Sequence, residues 1–132
     1  VNADRGTIML YAILCYDRED VIAGWTQGQE DETMARLGAV QEKLARQGKL
    51  GPVARLLPTT AATTLRKGAE TIVLDGPFAE TKEQLLGFYV VDAASLDEAV
   101  GIARELAQAN NLAVGCYEIR PLSVFRPGNL AS

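Results

Sequence analysis

The segment Thr7–Tyr16, TIMLYAILCY, constrains the fold more than any other part of the chain. Its length, its β-branched and aromatic content and its polar flanks read as a strand. Both faces are apolar: Ile8, Leu10, Ala12 and Leu14 point one way, Met9, Tyr11, Ile13 and Cys15 the other. A strand with one face on helices and the other in water alternates apolar with polar residues. This one does not, so something has to cover its second face. Leu85–Val91, LLGFYVV, repeats the pattern, with Leu86, Phe88 and Val90 on one face and Leu85, Tyr89 and Val91 on the other.

Two helices are legible between the strands. The first is expected from about Glu30 to Gln47, after a polar loop over Asp17–Gln29 that carries the single tryptophan, Trp25. Acidic residues lead it and Lys43 and Arg46 close it, matching the helix dipole. Met34, Leu37, Val40 and Leu44 form its apolar stripe, and Gly48 is a left-handed stop. The second is announced by a capping box of Ser95 and Glu98, runs with Leu96, Ala99, Ala103, Leu106 and Ala107 along one side, and ends at Asn110-Asn111. Leu50–Leu57, Ala61–Arg66, Glu70–Leu74 and Val114–Arg120 read as further strands.

The expected order is β–α–β(ββ)β–α–β, an α+β chain with a split βαβ, ferredoxin-like antiparallel sheet and helices on one face. Such a sheet leaves its other face bare. With one small domain and no third layer, the simplest cover is a second copy, sheet against sheet, which gives a homodimeric α/β barrel with an inter-sheet cavity. Residues 7–122 are expected to form the domain, with 1–6 an N-terminal extension and 123–132 a C-terminal tail.

Composition narrows the chemistry. The chain of 132 residues has no histidine, which removes Ser–His–Asp and Cys–His nucleophile systems and His-ligated metal sites. General acids or bases must come from Asp, Glu, Lys, Tyr or Cys. Cys15 and Cys116 lie in apolar, strand-like segments and read as two buried thiols of a reducing, cytoplasmic protein. A net charge of −4 without a concentrated basic face argues against nucleic acid as a partner. No apolar run is long enough to span a bilayer. No glycine-rich phosphate loop occurs, so no nucleotide cofactor is expected, and no acidic ligand spacing points to a metal.

Leu74–Tyr89, LDGPFAETKEQLLGFY, resembles the DGPF motif and its continuation in the DGPF branch of the YCII-related family. Ile8–Tyr16 looks like that family's opening strand, Thr63–Arg66 like the small strand before the motif, and Glu118–Pro121 like the closing one. The resemblance covers residues 7 to 122 and implies a ferredoxin-like dimeric barrel. A His–Asp pair proposed for some YCII-type relatives has no counterpart here, because the histidine is missing. The resemblance also implies a regulatory role beside an alternative sigma factor.

The candidate site is drawn from the motif and its surroundings. Asp75, at the head of the turn, is either the catalytic base or an acceptor that pins the Gly76-Pro77 turn. Phe78 either contacts a ligand or plugs the core. Glu80 and Lys82 either surround a pocket mouth, where crowded charges shift pKa values, or solvate the loop. Trp25 either lids a cavity or anchors its loop, and Arg120 either holds a substrate carboxylate or pairs with a nearby acid. The function expected from these residues is small-molecule binding in the barrel cavity, with carboxylate acid/base chemistry and no cofactor. The competing reading is a non-catalytic regulatory partner of another protein.

Overall fold

The computed structural model describes residues 9–130, so Thr7, Ile8 and the opening segment 1–6 lie outside the described residues. Strand β1 (Met9–Asp17) leads into a short helix α1 (Glu19–Ala23) and a long helix α2 (Gln27–Arg46). Strands β2 (Leu50–Arg55), β3 (Thr63–Arg66), β4 (Ile72–Asp75) and β5 (Gln84–Ala93) follow, then helix α3 (Leu96–Ala109) and strand β6 (Cys116–Pro121). The expected order is present, with α1 added inside what reads as a loop. At five residues it is too short to show a helical period.

Local chemistry sets the helix ends. Thr26 caps α2 by accepting from Gln29 N–H (3.1 Å), while the Gln29 side chain accepts from Thr26 N–H (2.9 Å). This reciprocal box starts α2 three residues earlier than its acidic turn suggests. At α3, Ser95 accepts from Glu98 N–H (3.1 Å), but the Glu98 carboxylate reaches past the cap to Ala94 N–H (2.8 Å). Gly48, at φ 71°, follows α2 as expected.

The main sheet is antiparallel with strand order β2-β5-β1-β6. Pro52 sits on the edge strand β2 at a break in register between Leu50 and Val53, where a missing ladder donor is tolerated. Odd-numbered residues of β1 and β5 meet the helices. Tyr11, Ile13, Tyr89, Val91 and Ala93 are buried with Leu37 and Leu44 of α2 and Ala99, Ile102, Ala103 and Leu106 of α3. On the opposite face Ala12 and Val90 are buried, while Leu10, Leu14 and Phe88 remain half-buried. Three stripe residues depart from expectation: Met34 is exposed towards Arg55, Leu96 stands in solvent on the first turn of α3, and Ala107 is exposed near its end.

Strands β3 and β4 form a separate two-stranded ribbon, paired from Thr63↔Asp75 to Arg66↔Ile72. Leu65, Ile72, Val73 and Leu74 are all exposed on it. None of the described helices is long and apolar enough to cross a membrane.

Candidate functional site

Three successive rungs of the sheet, on the face turned to the helices, go from packed to hollow. Leu50, Val91 and Tyr11 share one rung, and Val53, Tyr89, Ile13 and Ile119 the next. The third carries Arg55, Gly87, Cys15 and Tyr117. Gly87 adds no side chain there, Cys15 is small, and α3 contributes the small Ala103 and Ala107 alongside Val100 and Arg104. A chamber of about 420 Å³ is left between sheet and helices. Gly87 is also required by the backbone: a Cβ at that position would run into the Ala54 carbonyl of β2. The small residue that opens the chamber is therefore the one that lets β2 pass close to β5.

Apolar walls come from Ile22 of α1, Trp25, Met34 and Leu37. Polar groups converge on them. Asp17, at the end of β1, is only 5% exposed, accepts from Arg18 N–H (2.7 Å) and is the one carboxylate in the chamber wall. Desolvation pushes the Cys15 thiol up to about 12. The Tyr117 hydroxyl is raised well above the ordinary phenol range by burial, reinforced by Cys15 and opposed by the Asn110 amide. Tyr89 is raised for the same reason, with Gln41 opposing. At neutral pH the inner end of the chamber therefore holds a thiol and two phenols, all protonated. Charge is confined to Asp17, Arg55 and Arg104. Arg55 donates to Glu30 Oε1 (2.9 Å).

A second hollow of about 700 Å³ lies against the other side of α1 and shares Ile22, Trp25, Arg55 and Leu86 with the first. The short helix is tied across it by the Glu19 carboxylate, which accepts from Thr59 N–H (2.7 Å) and Thr59 Oγ1 (2.5 Å). Among the described residues no three acidic or thiol side chains converge to hold a metal ion.

Of the residues singled out from sequence, Trp25 lines both hollows. Asp75, Phe78, Glu80 and Lys82 are exposed and line neither. Phe78 is 77% exposed, so it does not plug the core of this chain. The DGP turn takes its shape from Gly76 at φ 96°, whose N–H donates to the Ala62 carbonyl (2.7 Å) and whose carbonyl accepts from Thr64 Oγ1 (2.8 Å). Arg120 is exposed opposite Ala12, on the sheet face away from the helices. Cys15 and Cys116 are free thiols, but Cys116 is exposed rather than buried. Asp17, Gln41 and Arg55 escape the sequence reading, which takes Cys15 only as a buried thiol and Asn110 only as a helix stop. The one signal for their chamber is a glycine inside a doubly apolar strand, which marks close backbone approach.

An antiparallel sheet with two long helices on one face and a chamber beneath them defines the class, and the chain belongs to the YCII-related family: the model of the YCII-related domain matches residues 9–126. The uncharacterized protein R00369 of Rhizobium meliloti (strain 1021) is 60% identical over 125 residues, covering 94% of this chain and the whole of that protein.

Proposed function

We propose that this protein binds a small molecule in the chamber between its sheet and its helices, without a cofactor. The observation that carries the reading is the chamber itself, which has the size and the apolar wall with few convergent polar groups that mark ligand sites. Asp17 is its acid/base group, a nearly buried carboxylate facing two neutral phenols and a neutral thiol. Native mass spectrometry of freshly purified protein tests the binding. The expected result is extra mass that is lost on denaturation and is absent from Ala107→Phe, which fills the chamber from α3. Wild type and Ala107→Phe carrying the same adduct, or both carrying none, would count against the chamber as the site.

We read the assembly as a homodimer built on a ferredoxin-like sheet. The strand order β2-β5-β1-β6 with α2 and α3 on one face suits that arrangement. The ribbon of β3 and β4 supports a partner, because an isolated two-stranded ribbon is marginal in water and this one exposes four large apolar residues. Asp75, Phe78, Glu80 and Lys82, in the turn that leaves β4, belong in this reading to the docking surface, as does Arg120 on the outer sheet face. A regulatory protein partner would use the same surface, and a chain that is monomeric in isolation favours it.

A further inference from the structure

Asn110, the residue that ends α3, is fixed by bonds to its own backbone and to both chain neighbours. Arg36 of α2 donates from Nε to the Ala109 carbonyl (2.8 Å) and from Nη2 to Asn111 Oδ1 (3.2 Å), clamping the residues on either side. The Asn110 N–H donates to the Leu106 carbonyl (3.0 Å), and its own carbonyl accepts from Ala113 N–H (3.2 Å). From this fixed backbone the side chain lines the chamber, yet its Oδ1 is buried and accepts no hydrogen bond from the protein. Buried polar atoms are nearly always satisfied, and an orphan one destabilises the fold. A donor entering the chamber would satisfy it.

The surroundings narrow what that molecule is. The Tyr117 hydroxyl stands beside the Asn110 amide, with Cys15 and Tyr89 close by, and burial keeps all three groups neutral. An anionic head placed there would lose its hydration and meet the Asp17 carboxylate, whose field reaches the Tyr117 hydroxyl. A hydroxyl meets both needs, since it donates and accepts at once.

We infer that the chamber takes an uncharged, mainly apolar molecule bearing a hydroxyl group, which donates to Asn110 Oδ1 and accepts from the Tyr117 hydroxyl. The inference rests on the chamber being a ligand site. Its test uses the intact protein and three matched probes, 4-ethylphenol, ethylbenzene and 4-ethylbenzoate, titrated at neutral pH by calorimetry and by the fluorescence of the single tryptophan, Trp25, in the chamber wall. The phenol is expected to bind about tenfold more tightly than ethylbenzene, as one well-made hydrogen bond allows, and the carboxylate most weakly. Asn110→Leu and Tyr117→Phe should each bring the phenol down to the affinity of ethylbenzene while leaving ethylbenzene unchanged. The second variant keeps the packing if the first disturbs the end of α3. Equal binding of phenol and ethylbenzene, or a preference that survives both variants, overturns the hydroxyl and leaves the chamber as a site. Tightest binding by the carboxylate overturns it in favour of Arg55 or Arg104 as the anchor. No binding by any probe removes the ligand site as well.

Discussion

Cys15 and Cys116 show how position decides what a side chain can do. Both are free, but Cys15 sits against the helix layer with its thiol pushed up to about 12, while Cys116 is exposed at the start of β6. Only a thiolate alkylates, so iodoacetamide at mildly alkaline pH should give a single adduct, on Cys116, by peptide mass mapping. The same shift has a stability consequence. The unfolded Cys15 ionises near the ordinary thiol value and the folded one, desolvated by burial, at about 12. Its contribution to stability is therefore complete below about pH 9 and is lost as pH rises towards 12. Tyr117 and Tyr89, also raised, add to the loss in the alkaline range. Urea midpoints measured from pH 8 upwards should fall, and Cys15→Ala should flatten the slope. Gly87 is a second case. Gly87→Ala drives a Cβ into the Ala54 carbonyl, which cannot turn aside as a side chain would, so the variant should lose about 1–3 kcal/mol in urea denaturation.

At the scale of elements, chain-local chemistry accounts for most of what forms. The stripe of Leu37, Val40 and Leu44 does face the core, and Ser95 does cap α3. Thr26 is the cap that the acidic turn at Glu30 obscures, and Thr26→Ala should cost about 1 kcal/mol by chemical denaturation, with the loss reflected in faster amide exchange over the first turn of α2. The cross-links between elements are less legible. Lys43 pairs with Glu105 (2.6 Å) and Lys49 with Glu98 (3.2 Å) across 62 and 49 positions of chain. No spacing rule reaches that far. These pairs are exposed enough that each adds little to stability. The DGPF turn divides the same way: its shape is written in Gly76 and Pro77, but the bonds that hold it come from Thr64 on the preceding strand and from Ala62 just before that strand.

For the whole molecule, the unresolved demand is the ribbon of β3 and β4. Leu65 and Val73 lie directly opposite one another and are exposed at 56% and 62%, and Ile72 and Leu74 on the same ribbon are exposed too. If a second copy covers them, the wild-type chain should elute as a dimer in light-scattering chromatography at micromolar concentration. Leu65→Asp with Val73→Asp should convert it to a folded monomer with an unchanged far-ultraviolet spectrum. A wild-type monomer removes the dimer reading, and a dimer that survives the double substitution moves the interface elsewhere.

The sequence by itself determined the strands and the two long helices, their order and the presence of an apolar layer on each side of the central strands, because hydrophobic period, caps and turn residues act within a few positions of chain. Much of the family resemblance is local for the same reason, carried by sixteen consecutive residues from Leu74 to Tyr89. The site is a different matter. Arg55, Gly87, Cys15 and Tyr117 come from four strands and share a rung only once the register is set, and Asn110 reaches the same chamber from the end of a helix. Neither the emptiness at Gly87 nor the burial of Asp17 exists before the sheet pairs and the helices close over it. Tertiary structure alone decided where space was left, because a cavity is the difference between volumes contributed by residues far apart in the chain.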